Sequence, residues 1–492
     1  MSQKAKKYLS LLLVMLCTFS FWGFNYFPIL DDNNQYGVYN LRSDDTWTNV
    51  IMHYKNYTVR PLALFTDSYV LSYLWDNMYL AVILMVLLHW MTACFLKEIF
   101  EKINVNVSWI WFVLFGFAPF LTESIYWISA SSRIVVSMFL CVLSNLVLIR
   151  VLTDEKNKYK KVFFLVVAIL LNIISNGYYE QTIVFNFALT LFVLIRLKKY
   201  KYIYIPFCSL FAIGAYYAYF MITGNSATRA VVAGNSLIDR ISECFNQIFA
   251  LFFTEQGELI SNGLKTGMRY LLERWWFSVS IIASICLFFF LSSKEEYVDK
   301  NIKENLVEFV LGVIIFIIPF APFFIIQNPL IAVRNFYIPY IGVAMICDAI
   351  ISSLITLITN DKIKKYVNTL ICTLIIAVSV VITISEINNY KVVYEFDTKI
   401  TNNLMEFLIE NNISYDENMY ITFDEKILNS YTTTSNHYCN MLEIGYSWAV
   451  KGKLQVAKNN IGVGNISLTV PPAEPYVHIY IDKNFNCSIL EK

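Results

Sequence analysis

Apolar residues in this chain come in long unbroken runs separated by short polar stretches, and this pattern persists over the first four-fifths of the sequence. A helix needs about 20 mainly apolar residues to cross a hydrocarbon core. Runs of that kind begin near Tyr8, Tyr79, Val107, Ile134, Val162, Thr182, Tyr202, Trp275, Leu306, Phe336 and Val367, which predicts about eleven spans. The stretch from Ile241 to Phe253 is shorter and reads as a re-entrant or interfacial helix. From about Asn388 the pattern changes. Ile400, Leu404, Phe407 and Leu408 recur at helical spacing. Short alternating runs at 418–423, 454–457, 466–470 and 477–481 follow and read as strands. The expected architecture is therefore an all-α polytopic membrane module over 1–387, with a small α/β domain over 388–492.

Composition agrees with this reading. The chain is 57% apolar and 15% charged, against roughly 45–50% and 25% in soluble domains. Lys4, Lys6 and Lys7 precede a first run that extends to Leu30 without a small-residue cleavage site, so it is expected to be an uncleaved anchor. Basic residues mark alternate loops: Lys97/Lys102, Lys156/Lys158/Lys160/Lys161, Arg196/Lys198/Lys199/Lys201, Lys294/Lys300/Lys303, and Lys362/Lys364/Lys365. By the positive-inside rule these face the cytoplasm. The N-terminal end is then inside, and the loops 31–77, 123–133, 177–181, 223–274 and 328–335 face outward with the C-terminal domain. A net charge of +1 gives no reason to expect nucleic acid as a partner. The ten cysteines form no metal-spaced cluster. Cys94, Cys141, Cys286 and Cys372 sit in apolar runs as small core residues, while Cys439 and Cys487 lie in the polar tail and could pair in an oxidising compartment.

Candidate chemistry gathers on the outward side, because the cytoplasmic loops are short and lack a glycine-rich phosphate loop. Asp31 and Asp32 follow the first apolar run. Adjacent carboxylates repel, which suits one of them to act as a base, although the pair would equally mark the end of a helix. The first outward loop continues through Asp44, Asp45 and Trp47 to Asn56-Tyr57-Thr58-Val59-Arg60-Pro61-Leu62, and Arg60 has the planar donor fork that clamps a phosphate. His89 falls within the second span, where a satisfied buried imidazole is the plainer reading. Other outward segments bring Thr122-Glu123 with Trp127 and Arg133, Glu180-Gln181, and Arg334-Asn335-Phe336-Tyr337. Charges at membrane depth are costly unless they line a wet cavity, so together these residues point to one outward-facing polar site. Asp348 lies inside the tenth span with no partner evident from the sequence.

These segments resemble the GT-C membrane glycosyltransferases, most closely the protein O-mannosyltransferase-like branch that includes the transmembrane tetratricopeptide-repeat mannosyltransferases. The likeness is carried by Asp31-Asp32, by Tyr57 to Leu62 and by Leu87-Leu88-His89. It continues through Pro119, Thr122, Glu123 and Arg133, then Glu180-Gln181, then Arg334, Tyr337 and Pro339. It covers roughly residues 10–200 and 330–350. No tetratricopeptide repeats follow, and 223–274 has no counterpart in the branch.

The resemblance implies inverting transfer of a monosaccharide from a polyprenyl-phosphate-linked donor to an acceptor hydroxyl on a glycan, lipid or protein. Asp31 or Asp32 would be the base. Arg60, Arg133, Arg334 and Tyr337 would hold the donor phosphate, and Glu123, Glu180 and His89 would bind the sugar or orient the arginines. A divalent metal is left open, since the wider superfamily varies in needing one. A lipid-linked glycan polymerase or ligase, or a flippase, is the alternative class. Abundant Ile, Asn and Lys suggest an AT-rich bacterial genome, hence a plasma membrane and an undecaprenyl carrier.

Overall fold

The computed structural model describes residues 3–41, 60–155, 157–222, 236–294, 299–324, 330–425, 445–460, 462–472 and 475–491. Its helices, in chain order, are α1 (Gln3–Phe19), α2 (Tyr79–Lys102), α3 (Trp109–Phe117), α4 (Thr122–Tyr126), α5 (Ile128–Thr153), α6 (Lys158–Asn176), α7 (Glu180–Arg196), α8 (Tyr204–Ile222), α9 (Leu237–Phe249), α10 (Gln256–Glu273), α11 (Trp275–Ser292), α12 (Ile302–Ile317), α13 (Pro339–Thr356), α14 (Asp361–Glu410) and α15 (Ser447–Lys458). Among the described residues, seven helices are long and apolar enough to cross a membrane, or eight if the bent pair 109–126 is one span. The chain is a multi-pass helical membrane protein with a small sheet near its C-terminus.

The chain divides into two compact units, one of residues 1–23, 51–64 and 82–385, the other of residues 24–50, 65–81 and 386–492. The first is the helical bundle. In a bilayer, polar side chains and close backbone approach hold helices together, because lipid is as apolar as leucine. Both devices occur here. The buried Ser137 and Ser144 hydroxyls of α5 donate to the Ser175 and Ala168 carbonyls of α6, each at 2.8 Å. Asn172 of α6 donates to Asn186 of α7 at 2.7 Å, and Asn186 donates to Asn176 at 3.0 Å. Between α12 and α13 the backbones nearly touch. A Cβ on Gly342 would strike the Gly312 carbonyl and lie 2.6 Å from the Phe316 nitrogen.

Asp348 on α13 finds partners on α12 and in the segments just before α12 and α3. Lys300 Nζ lies 2.8 Å from Asp348 and 2.7 Å from Glu308, all three buried. Ser108 donates to Asp348 through its amide at 2.7 Å and its hydroxyl at 2.5 Å, while that hydroxyl caps the Ile110 amide at the start of α3. Lys300, expected in a cytoplasmic loop, is a buried residue.

Several boundaries differ from expectation. The first helix ends at Phe19 rather than near Leu30. Gly23 at φ +94°, Pro28, and Leu30 at φ +46° punctuate the apolar chain that follows, so Asp31 and Asp32 do not directly follow the helix end. The expected loop 123–133 is mostly helix. The backbone bends by 43° between α3 and the Pro119–Tyr126 segment, and Arg133 lies in the second turn of α5. Pro119 lacks the amide needed to continue α3. Of the expected outward loop 223–274, residues 237–273 are helical. Asp44, Asp45, Trp47, Asn56 to Val59, Lys156 and Cys439 lie outside the described residues, as do 223–235 and 325–329.

The second unit contains the tail. Its sheet has the order β2 (Ile466–Ser467), β1 (Asn418–Phe423), β3 (Tyr476–Ile481), β4 (Cys487–Glu491). β1 runs parallel to β2 and β3, and β4 is antiparallel to β3. Met419, Ile421, Val477, Ile479 and Ile481 are buried, and a cleft lined by Ile400, Leu404, Ile421, Val450 and Ile481 marks where α14 and α15 meet that face. The run 454–457 is not a strand. Ala449, Val450, Lys453 and Leu454 are buried at helical spacing in α15, which stops at Asn459 with φ +53°. β4 was not expected from the sequence. The helix expected around 400–408 and the eleventh span are one helix, α14, of 50 residues.

Candidate functional site

Two arginine–carboxylate pairs and one tyrosine–asparagine link lie together in the helical unit. Arg60 stands just before Pro61, where a short helix Pro61–Thr66 begins. Its Nε lies 2.9 and 3.0 Å from the two Glu180 oxygens, and its Nη2 lies 2.9 Å from Oε2. Glu180 opens α7, where a carboxylate also meets the positive end of the helix dipole. The Leu62 amide donates to the Gly177 carbonyl at 3.3 Å, which fixes the two segments side by side. A Cβ on Gly177 would lie 2.7 Å from a Leu62 methyl, so a larger residue here would have to displace the Leu62 side chain.

The Arg60 guanidinium also rests over the Tyr179 ring at 5.0 Å. Tyr179 is buried, and burial pushes its phenol above the ordinary range while Arg60 pulls it back. Its hydroxyl accepts from Asn335 Nδ2 at 2.6 Å, and Asn335 Oδ1 accepts from the Ala332 amide at 2.7 Å. Asn335 thus braces the turn 333–336 that carries Arg334. Arg334 Nη1 lies 3.4 Å from Glu123 Oε1, and its guanidinium sits over the Trp127 ring at 5.3 Å. Ser124 donates to the Arg334 carbonyl at 3.1 Å.

The two guanidiniums are therefore tied through one short chain, Arg60–Tyr179–Asn335–Arg334. Both are about a quarter exposed, whereas Glu123 is only 3% exposed. Among the described residues, Arg60 Nη1 has no partner. Two fixed guanidiniums, each about a quarter exposed, make a site suited to a dianion. Gln181, next to Glu180, is buried, and neither of its side-chain polar atoms is bonded among the described residues.

The other expected residues fall as follows. His89 is fully buried: Nδ1 lies 2.7 Å from the Tyr337 hydroxyl and Nε2 lies 3.2 Å from the Gly116 carbonyl. Both ring nitrogens are engaged, so His89 and Tyr337 lock α2, the end of α3 and the segment before α13 together. Arg133 is buried in α5. Asp31 and Asp32 belong to the other unit, and the structure separates them. Asp32 is fully buried, and its Oδ2 accepts the Tyr26 hydroxyl at 2.6 Å and the Ile29 amide at 3.1 Å. Asp31 is half-exposed.

Sequence reasoning missed Tyr179 and Asn335 as braces, and also Lys300 and Glu308 as partners of Asp348. Tyr179 and Asn335 stand next to the singled-out Glu180 and Arg334, which is the one signal that could have found them. No group of three or more His, Cys, Asp or Glu among the described residues is arranged to hold a metal ion. No family model, curated protein or solved structure matches the chain.

Proposed function

We propose that the chain is a GT-C-like membrane glycosyltransferase of the protein O-mannosyltransferase-like branch. In this reading it transfers a monosaccharide from a polyprenyl-phosphate donor to an acceptor hydroxyl on the extracytoplasmic side. The observation that carries the reading is the braced arginine pair. A phosphomonoester leaving group gains negative charge as its glycosidic bond breaks, and preorganised donors aimed at that charge are the largest single contribution an enzyme can make. Arg60 and Arg334 supply such donors, with Glu180 and Glu123 holding their other edges and Tyr179 and Asn335 fixing their separation.

The acceptor hydroxyl needs a base, and the leaving phosphate needs no general acid, so one essential carboxylate suffices. Asp31 is the proposed base, since Asp32 is spent on its own turn. Attack by the deprotonated hydroxyl on the anomeric carbon displaces the polyprenyl phosphate and inverts that carbon. The acceptor is a glycan, lipid or protein hydroxyl.

The membrane arrangement in this proposal has eleven spans. Helices α1, α7 and α8, of 17, 17 and 19 residues, add to the eight with 109–126 taken as one. The Lys4–Lys7 end then lies in the cytoplasm of a bacterial plasma membrane, and the tail domain lies outside.

The test is mass spectrometry of surface glycans in a host lacking the protein, complemented with wild type or with Asp31→Asn/Asp32→Asn. Restoration of one sugar by wild type alone supports transfer. Restoration by the double variant as well would remove the carboxylates from the chemistry and leave transport of a lipid-linked glycan as the better account.

A further inference from the structure

Helix α9 carries two apolar rows, and the protein covers only one of them. The inner row, Cys244, Ile248 and the following Leu251, is buried in a cluster with Phe120, Phe320 and Phe336. The second row steps by four residues through Leu237, Ile241, Phe245 and Phe249 and continues to Phe253 in the π-helical segment 250–255. Leu237 is 53% exposed, Phe249 63% and Phe253 62%, with the last two rings 4.5 Å apart. The remaining side of α9 carries Asp239, Glu243 and Asn246, all exposed. An apolar arc wider than the protein covers implies a second apolar medium along that row.

The chain itself indicates which medium. α9 leads through the π-helical segment 250–255, α10 and the single residue Arg274 into the span α11, whose first residues, Trp275 and Trp276, are exposed and stacked at 3.6 Å. Adjacent tryptophans at the head of a span are the mark of a membrane–water interface. At 13 residues, α9 is too short to cross a bilayer, and its polar side requires water.

We infer that α9, with the segment 250–255, lies in the bilayer interface, its outer row in the lipid and its inner row against the loop that bears Arg334. The coupling to that loop is specific. Gln247 Oε1 accepts the Ile331 amide at 3.0 Å, three residues before Arg334. Phe252 stacks on Phe336 at 6.2 Å, two residues after it. The partner is the lipid surface of this membrane, and its effect is to fix the height of Arg334 relative to the headgroup phosphates. This goes beyond the transfer reaction and requires no particular chemistry at Arg334.

The experiment uses the full chain in phosphatidylcholine nanodiscs with two photoactivatable lipids, one with a diazirine beside the headgroup and one with it at the chain end. Adducts are mapped by peptide mass spectrometry. The headgroup probe should label 245–253, and the chain-end probe should label mid-span residues of α11 but not 245–253. Absence of lipid adducts over 245–253, or equal labelling by the chain-end probe, would overturn the interfacial placement.

The coupling is read separately from the rate at which phenylglyoxal modifies Arg334. Gln247→Ala should raise that rate about fivefold, the equivalent of one lost hydrogen bond, while Gln247→Glu, which keeps an acceptor for the Ile331 amide, should not. An unchanged rate in Gln247→Ala would sever α9 from the arginine. If the wild-type chain transfers no sugar in the glycan assay, the transferase reading falls, and both of these readouts still decide the present one.

Discussion

Replacing Asp32 with Ala removes the acceptor that the Tyr26 hydroxyl and the Ile29 amide share. Leaving such buried donors without it costs about 1–3 kcal/mol. We therefore expect Asp32→Ala to lower the unfolding temperature of the purified protein, whereas Asp31→Asn leaves that temperature unchanged and abolishes transfer. The reverse pattern would exchange the roles of the two aspartates. A second residue-scale expectation concerns Cys487, whose thiol burial pushes up to about 11. Only the thiolate alkylates. Its maleimide rate should therefore be low at neutral pH and keep rising to about pH 11, where an exposed thiol levels off earlier; peptide mass spectrometry after timed quenching would show which. What the sequence revealed at this scale was residue type and rough placement. The acidic pair, both arginines and both glutamates were visible as charges at helix ends. Their division of labour was not, because Tyr26, Tyr179 and Asn335 act through contacts made only when distant segments meet.

Among the elements, the α12–α13 contact gives the sharpest contrast between two glycines. A methyl on Gly342 would drive into the Gly312 carbonyl, backbone against backbone, whereas one on Gly116 would meet only a Phe112 ring carbon at 3.9 Å. Gly342→Ala should cost about 1–3 kcal/mol, as overpacking does, while Gly116→Ala should lie within about 0.5 kcal/mol of wild type. Thermal unfolding of the two variants side by side checks this; equal effects would mean that α12 and α13 are free to move apart. Hydropathy located the long apolar helices, because a run of about 20 apolar residues has few other uses, but it missed α10 and α15. It placed the ends poorly. The apolar run after Phe19 continues although the helix does not, since Gly23 and Pro28 interrupt the backbone while the side chains stay greasy. In the same way 454–457 alternates like a strand, yet four buried positions at helical spacing in α15 decide the matter.

At the scale of the whole molecule, the proposed arrangement of eleven spans fixes which loops meet which compartment. An epitope inserted after Asp154 should be shielded from protease added outside intact cells, and one inserted after Asn459 should be cleaved. Cleavage of both, or of neither, would refute the proposed topology. The proposed arrangement rests on charge patterning, which counts Lys300 only as a loop cation and gives no sign that it is a buried ion-pair partner in space.

That buried lysine has a consequence for how the protein is made. Glu308 enters the membrane within α12 only eight residues after Lys300, but Asp348 follows Lys300 by 48 residues. A charged group left alone in a spanning helix costs about 2.5–3.5 kcal/mol on insertion. During synthesis α12 therefore reaches the translocon carrying Glu308, with Lys300 two residues before the helix, while their third partner has not yet emerged. The two helices should leave the insertion machinery as a pair rather than one at a time. Asp348→Leu would then appear as a failure of biogenesis, with little mature protein and an accumulation of translocon-bound nascent chains, before any effect on chemistry could be measured.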